Sequence, residues 1–295
     1  MSDLPSTTAV GLCLTAAVVY ATGALVIKRS ADLGVGVWRT AFVANVLGGL
    51  LFQPLLLLGG TLHADLWWQP LTAGTIFVVG QGLTFLSLDR GDVSVATPVL
   101  GLKIILVAMV LTLLGGEHHP GRLWLAACLA TAGVALLNRR PAAGAHQAVG
   151  RTVLTAGSAA ACYAVFDVLI QRWSPHWGVG RFLPLALGWS GLLSCLFITR
   201  FRAPLSAVPR PAWPWLIGGS LLLAGQSVLF VSTLARWGHA ASSNVIYSSR
   251  GLWSVALVWL LGRWVKSREQ AHGRLLAWRL AGAALMMSAI ALVAA

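Results

Sequence analysis

In the stretch ASSNVIYSSRGLWSVALVWLLG (residues 241–262), Arg250 stands near the middle of a run long and apolar enough to cross a bilayer. A guanidinium at the centre of a spanning helix costs roughly 2.5 to 3.5 kcal/mol on insertion scales, so such residues face a cavity or a partner and mark function. Lys103, in PVLGLKIILVAMVLTLLGGE (98–117), is a second cation of this kind. Arginine can grip an oxyanion through two parallel hydrogen bonds, and lysine supplies a point charge. The combination suits a carboxylate or a phosphate. Asp167, in AVFDVLIQR, is the only carboxylate inside an apolar run. It could be a fixed counter-ion to one of the two cations, or a coupling group that takes a proton or a substrate ammonium. One cation is then left over, which is costly in an apolar medium unless a cavity hydrates it. A purely structural ion pair is the alternative.

Other polar groups lie within reach of the cations. Tyr247 is three residues before Arg250 and shares its helix face, and Asn244 is nearby. Trp253, three residues after Arg250, could wall a pocket or stack on the guanidinium. Gln81, Gln226, Tyr20 and Tyr163 complete the candidate substrate-binding set. For the glutamines, interhelical hydrogen bonding is an equally good account. Each tyrosine could instead satisfy a backbone carbonyl. Histidines fall in loops or at span ends, and His118–His119 has only Glu117 beside it, so no metal site is expected. Neither a catalytic group nor a cofactor is expected either, because no acid, base or nucleophile in the spans has an oriented partner.

The elements that must position these groups are spanning helices. The chain is 57% hydrophobic and 10% charged, with mean hydropathy +0.79, far too apolar for a soluble domain. Ten runs of spanning length fall at approximately 7–27, 36–58, 70–88, 93–115, 121–138, 151–171, 180–200, 213–235, 240–262 and 275–294. The net charge of +13 does not indicate a nucleic-acid partner, because the basic residues lie mainly between spans. Odd loops carry 13 of them and even loops 4, a bias that places the odd loops in the cytoplasm and both termini outside. The first span is as long as its successors and has no basic n-region, so it is expected to be retained. Cys13, Cys128, Cys162 and Cys195 sit in spans without paired spacing and read as inert core thiols. Most tryptophans, Trp67, Trp68, Trp177 and Trp215 among them, cluster near span ends as interfacial belts do, and Arg39 and Arg279 are expected to snorkel.

The chain is also written twice. AAVVYATGALVIKR (16–29) aligns with AAACYAVFDVLIQR (159–172), setting Tyr20 over Tyr163 and Ala24 over Asp167. GQGLTFLS (80–87) aligns with GQSVLFVS (225–232), and LLGG (113–116) with LLGR (260–263). The last offset, 147, carries Arg250 onto Lys103. Repeats of 1–145 and 146–295 follow, each with five helices. Because five is odd, the second enters the membrane from the opposite side. The expected fold is all-α, ten transmembrane helices as a 5+5 inverted repeat, with a substrate site near the midplane between the halves.

The ten-helix layout, Pro98 followed by Gly115, Gly116 and Glu117, and the Tyr-Ala pair in the first span of each half resemble the EamA-type branch of the drug/metabolite transporter superfamily. The resemblance implies a central cavity lined by helices three, four, eight and nine, and transport of small metabolites without enzymatic chemistry. Lys103 and Arg250 are further similar to the basic residues with which triose-phosphate translocators hold a phosphate on their fourth and ninth helices. Those translocators have adjacent Lys and Arg on helix nine, whereas Ser249 precedes Arg250 here.

The expectation is therefore a secondary transporter of a small organic anion in a bacterial inner membrane, with no nucleic-acid partner and with homodimer formation left open. No Walker motif is present to use ATP. An exporter of amino acids or amphipathic metabolites, with Asp167 on the ammonium, is the first alternative. A flippase for a lipid or polyprenyl phosphate, favoured by an open groove between helices, is the second.

Overall fold

The computed structural model describes residues 6–90, 93–115, 119–137, 149–261 and 274–294. Among these residues every regular element is a helix, without strands. In order, the helices are α1 (Thr7–Asp32), α2 (Val37–Phe52), α3 (Trp68–Arg90), α4 (Val93–Leu100), α5 (Lys103–Gly115), α6 (Gly121–Leu137), α7 (Val149–Trp177), α8 (Val179–Leu193), α9 (Trp213–Trp237), α10 (Ala240–Tyr247), α11 (Arg250–Leu261) and α12 (Arg274–Ala294). Tighter turns over Gln53–Leu58 and Ser194–Arg200 prolong α2 and α8 at the same place in each half. Eight segments are long and apolar enough to cross a membrane; α6 is shorter, and α10 with α11 is one interrupted span. The segments fall where hydropathy placed the ten spans. The proposed repeat boundary at 145/146 lies outside the described residues.

Helix packing follows the internal symmetry of the sequence. Helix α1 packs along α9, and its counterpart α7 packs along α3. Likewise α1 contacts the interrupted pair α10 and α11, while α7 contacts α4 and α5; α2 meets α9 as α8 meets α3. Each repeat therefore places its first helix against the third and fourth helices of the other. The self-paired contacts are α2 with α8 and α6 with α12, and both use glycine. A Cβ on Gly133 would stand 2.5 Å from Met286 Cγ and 2.9 Å from Gly282 O, and one on Gly282 would stand 2.8 Å from Gly133 O. At the other crossing, Gly49 and Gly191 face each other in the same way. Small residues bring helix backbones close where lipid offers no hydrophobic drive to associate.

Alanine dominates the buried face, while Leu57, Leu113, Leu154 and Leu192 are exposed. This is the inverse of a soluble core and suits a lipid surround. Trp67, Trp68 and Trp215 are exposed near helix ends, as belt residues are. Three sequence expectations are corrected. Trp177 is fully buried and donates from Nε1 to Gln69 Oε1 at 3.0 Å, because the loop after α2 folds over it: Thr61 N donates to Trp177 O at 2.9 Å. Arg39 does not snorkel. It is buried and donates to Gly34 O at 2.9 Å and Pro204 O at 3.4 Å, tying two loops together. Cys128 and Cys195 are exposed helix-surface thiols, and only Cys13 is fully buried.

Candidate functional site

Both midspan cations start a helix. The fourth span breaks between Leu100 and Lys103, and the ninth between Tyr247 and Arg250. The breaks share one hydrogen-bond pattern at an offset of 147. Gly101 N donates to Thr97 O and Pro98 O, Leu102 N to Val99 O, Ile104 N to Gly101 O and Leu106 N to Leu102 O. In the second copy, Ser248 N donates to Asn244 O and Val245 O, Ser249 N to Ile246 O, Gly251 N to Ser248 O and Trp253 N to Ser249 O. Short three-residue bonds of this type tighten a helix locally and are frequent at hinges. The causes differ. Pro98 removes an amide donor three residues before Gly101, whereas the second break sits on the serine pair Ser248–Ser249.

The first helix of each repeat supplies a tyrosine to the cation of the other repeat. Arg250 Cζ lies 4.7 Å from the ring centroid of Tyr20 on α1, and Lys103 Nζ lies 5.8 Å from that of Tyr163 on α7. Arg250 is also 4.7 Å from the ring of Tyr247, which stacks on Phe230 at 4.3 Å; Lys103 is 5.5 Å from Phe230. The stacked Tyr247–Phe230 pair thus touches both cations. Tyr20 meets Tyr247 edge to face at 6.1 Å. Such contacts with ring faces stabilise a cation most where water is excluded.

One carboxylate breaks the symmetry. Asp167, four residues after Tyr163, is 2% exposed; its Oδ2 takes Lys103 Nζ at 2.7 Å and accepts from Asn244 Nδ2 at 2.6 Å. One turn on, Gln171 Oε1 accepts from Ala240 N at 2.7 Å and caps the start of α10. Tyr163, Asp167 and Gln171 therefore form one stripe of α7 facing the fourth and ninth spans. At the place of Asp167, α1 has Ala24. Among the described residues no carboxylate pairs with Arg250.

The candidate residues divide by place. Lys103, Arg250, Tyr20, Tyr163, Asp167, Asn244, Tyr247 and Gln226 form one cluster, in which Tyr247 Oη donates to Gln226 Oε1 at 2.6 Å. Gln81 departs from its counterpart: its Oε1 accepts from Asn45 Nδ2, joining α3 to α2 away from the cations. Trp253 is 40% exposed, and Arg250 lies over Tyr20 and Tyr247 instead. Sequence reading missed Phe230, whose place in the repeated G-Q-x-x-x-F-x-S was the available signal, and Thr84, whose Oγ1 donates to Tyr163 Oη at 3.2 Å. Among the described residues no cluster of metal-ligating side chains occurs.

A model of the EamA-like transporter family matches residues 7–139. Over those residues, fewer than half of the chain, the sequence is similar to EamA-like transporters. The EamA-like family lies within the drug/metabolite transporter superfamily, and the match together with the long apolar helices fits a multi-pass membrane transporter of small molecules. The crystal structure of a protein 16% identical in sequence superposes with a TM-score of 0.73, covering 97% of this chain and 96% of that one; the likeness is one of fold. No curated protein matches the chain.

Proposed function

We propose that this EamA-like protein is a secondary transporter that binds a small organic anion at Arg250 and moves it by alternating access. The observation that carries this reading is a permanently charged guanidinium at a helix break near midspan. Aromatic faces hold it, and no carboxylate among the described residues pairs with it. Such a cation is expensive in a bilayer unless it serves an anionic ligand or a cavity. The break adds to it, because a half-helix N-terminus in the ninth span favours negative charge. The paired breaks in the fourth and ninth spans supply places where each repeat can bend against the other.

The loop charges support an orientation with both termini outside. A groove of about 400 Å3 between the fourth and fifth spans, lined by Pro98, Val99, Leu102, Ile105, Cys128 and Thr131, is apolar, and its lining contains neither cation. It is therefore separate from the cations that would hold an anionic group.

Thermal unfolding of the purified protein against carboxylates, phosphates, amino acids and amines tests the proposal, since a ligand of the folded state raises its apparent stability. Anions are expected to stabilise the protein and to lose that effect in Arg250→Ala. Stabilisation by amines alone, or by anions equally in Arg250→Ala, sinks the reading.

A further inference from the structure

We infer that Asp167 limits the site to anions carrying a single negative charge; the inference rests on Arg250 being the anion-binding residue. The repeats supply two equivalent cations and two equivalent tyrosines, but a carboxylate on one side only, Asp167 against Ala24. Its Oδ2 is engaged by Lys103 Nζ at 2.7 Å and by Asn244 Nδ2 at 2.6 Å. With Asp167 only 2% exposed and Lys103 15% exposed, solvent does little to weaken this pair. The polar cluster therefore holds two cations and one carboxylate, an excess of one positive charge. A monoanion at Arg250 neutralises that excess. A dianion leaves one negative charge over, and Lys103, already paired, offers it nothing while Asp167 repels it.

Asp167→Asn keeps the shape and an oxygen for Asn244 but releases Lys103, so two cations then face the ligand. The valence preference should turn over, which a scaffolding role for Asp167 would not produce. Lys103→Met combined with Asp167→Asn removes the pair together and restores an excess of one, so the preference should return.

The test measures affinities of the full chain in detergent for matched probes: monomethyl succinate against succinate, and dimethyl phosphate against methyl phosphate, above the second phosphate ionisation. The unaltered protein is expected to favour each monoanion by about tenfold or more, and Asp167→Asn to shift the ratio toward the dianion by a similar factor. The double variant should move it back. A dianion preference in the unaltered protein overturns the inference, as does an unmoved ratio in Asp167→Asn. So does loss of amino-acid binding in Asp167→Asn with the ratio unmoved, which would make Asp167 an ammonium partner.

If Asp167→Asn does not fold, Ala24→Asp is the mirror experiment. A carboxylate beside Arg250 should lower monoanion affinity by about tenfold or more, and unchanged affinity overturns the inference. Failure of every anion to bind the unaltered protein removes both readings. Binding that is lost in Arg250→Ala, with an unmoved ratio in Asp167→Asn, removes this one only.

Discussion

At the scale of single residues, the Lys103–Asp167 pair and the Arg250 cage should respond differently to truncation. Removing one partner of a buried ion pair leaves an uncompensated charge, at a cost of about 3–5 kcal/mol, whereas replacing both is often neutral. Asp167→Asn is therefore expected to lower stability by an amount toward the lower end of that range, since Lys103 keeps some exposure. Lys103→Met with Asp167→Asn should recover most of it, as read from unfolding midpoints in detergent. For Arg250 the stabilising partners are ring faces. Tyr20→Phe keeps the face and should leave stability unchanged, while Tyr20→Leu should lose about 0.5–2 kcal/mol. Equal losses in the two variants would shift the credit to the Tyr20 hydroxyl.

At the scale of elements, glycine contacts decide how closely helices cross. Gly282→Val places methyl groups where Gly133 O and Leu137 N already stand, at 2.8 Å and 3.0 Å from the first added carbon. It should reduce the yield of monodisperse protein sharply. Gly218→Val, which meets nothing within 4 Å, should not; size-exclusion profiles of the two variants separate these outcomes. The breaks are a second property of elements. A Cβ on Gly101 would stand 2.9 Å from Pro98 O and from Val134 Cγ1, so Gly101→Val should force the fourth span apart from the fifth. In proteoliposomes it is expected to slow turnover more than it weakens binding. Equal effects on both would count against a hinge there.

At the scale of the whole molecule, symmetry and charge make an orientation testable. The proposed orientation, termini outside and odd loops within, predicts that single cysteines introduced at Ser2 and Ala294 react with an impermeant thiol reagent from outside intact cells, and that one at Ala207 does not. The reverse pattern overturns the orientation. The packing of α1 onto α9–α11 and of α7 onto α3–α5 means that each midspan cation finds its partners on the other half of the chain. Arg250 needs Tyr20 from the first repeat, and Lys103 needs Asp167 and Tyr163 from the second.

By itself the sequence determined the apolar spans and the cations within them, because the bilayer imposes a length and a polarity rule that any stretch must obey locally. The alignment of Asp167 with Ala24 also showed that one cation would lack a counterpart. Which cation took the carboxylate was decided only in three dimensions, where the α7 stripe of Tyr163, Asp167 and Gln171 meets the fourth and ninth spans. The same holds for Gln81 turning to Asn45, Trp253 turning outward and Trp177 being covered by a loop. Each depends on helix rotation about its own axis. Hydropathy is nearly uniform around these helices and carries no such angle; the packing of small residues sets it.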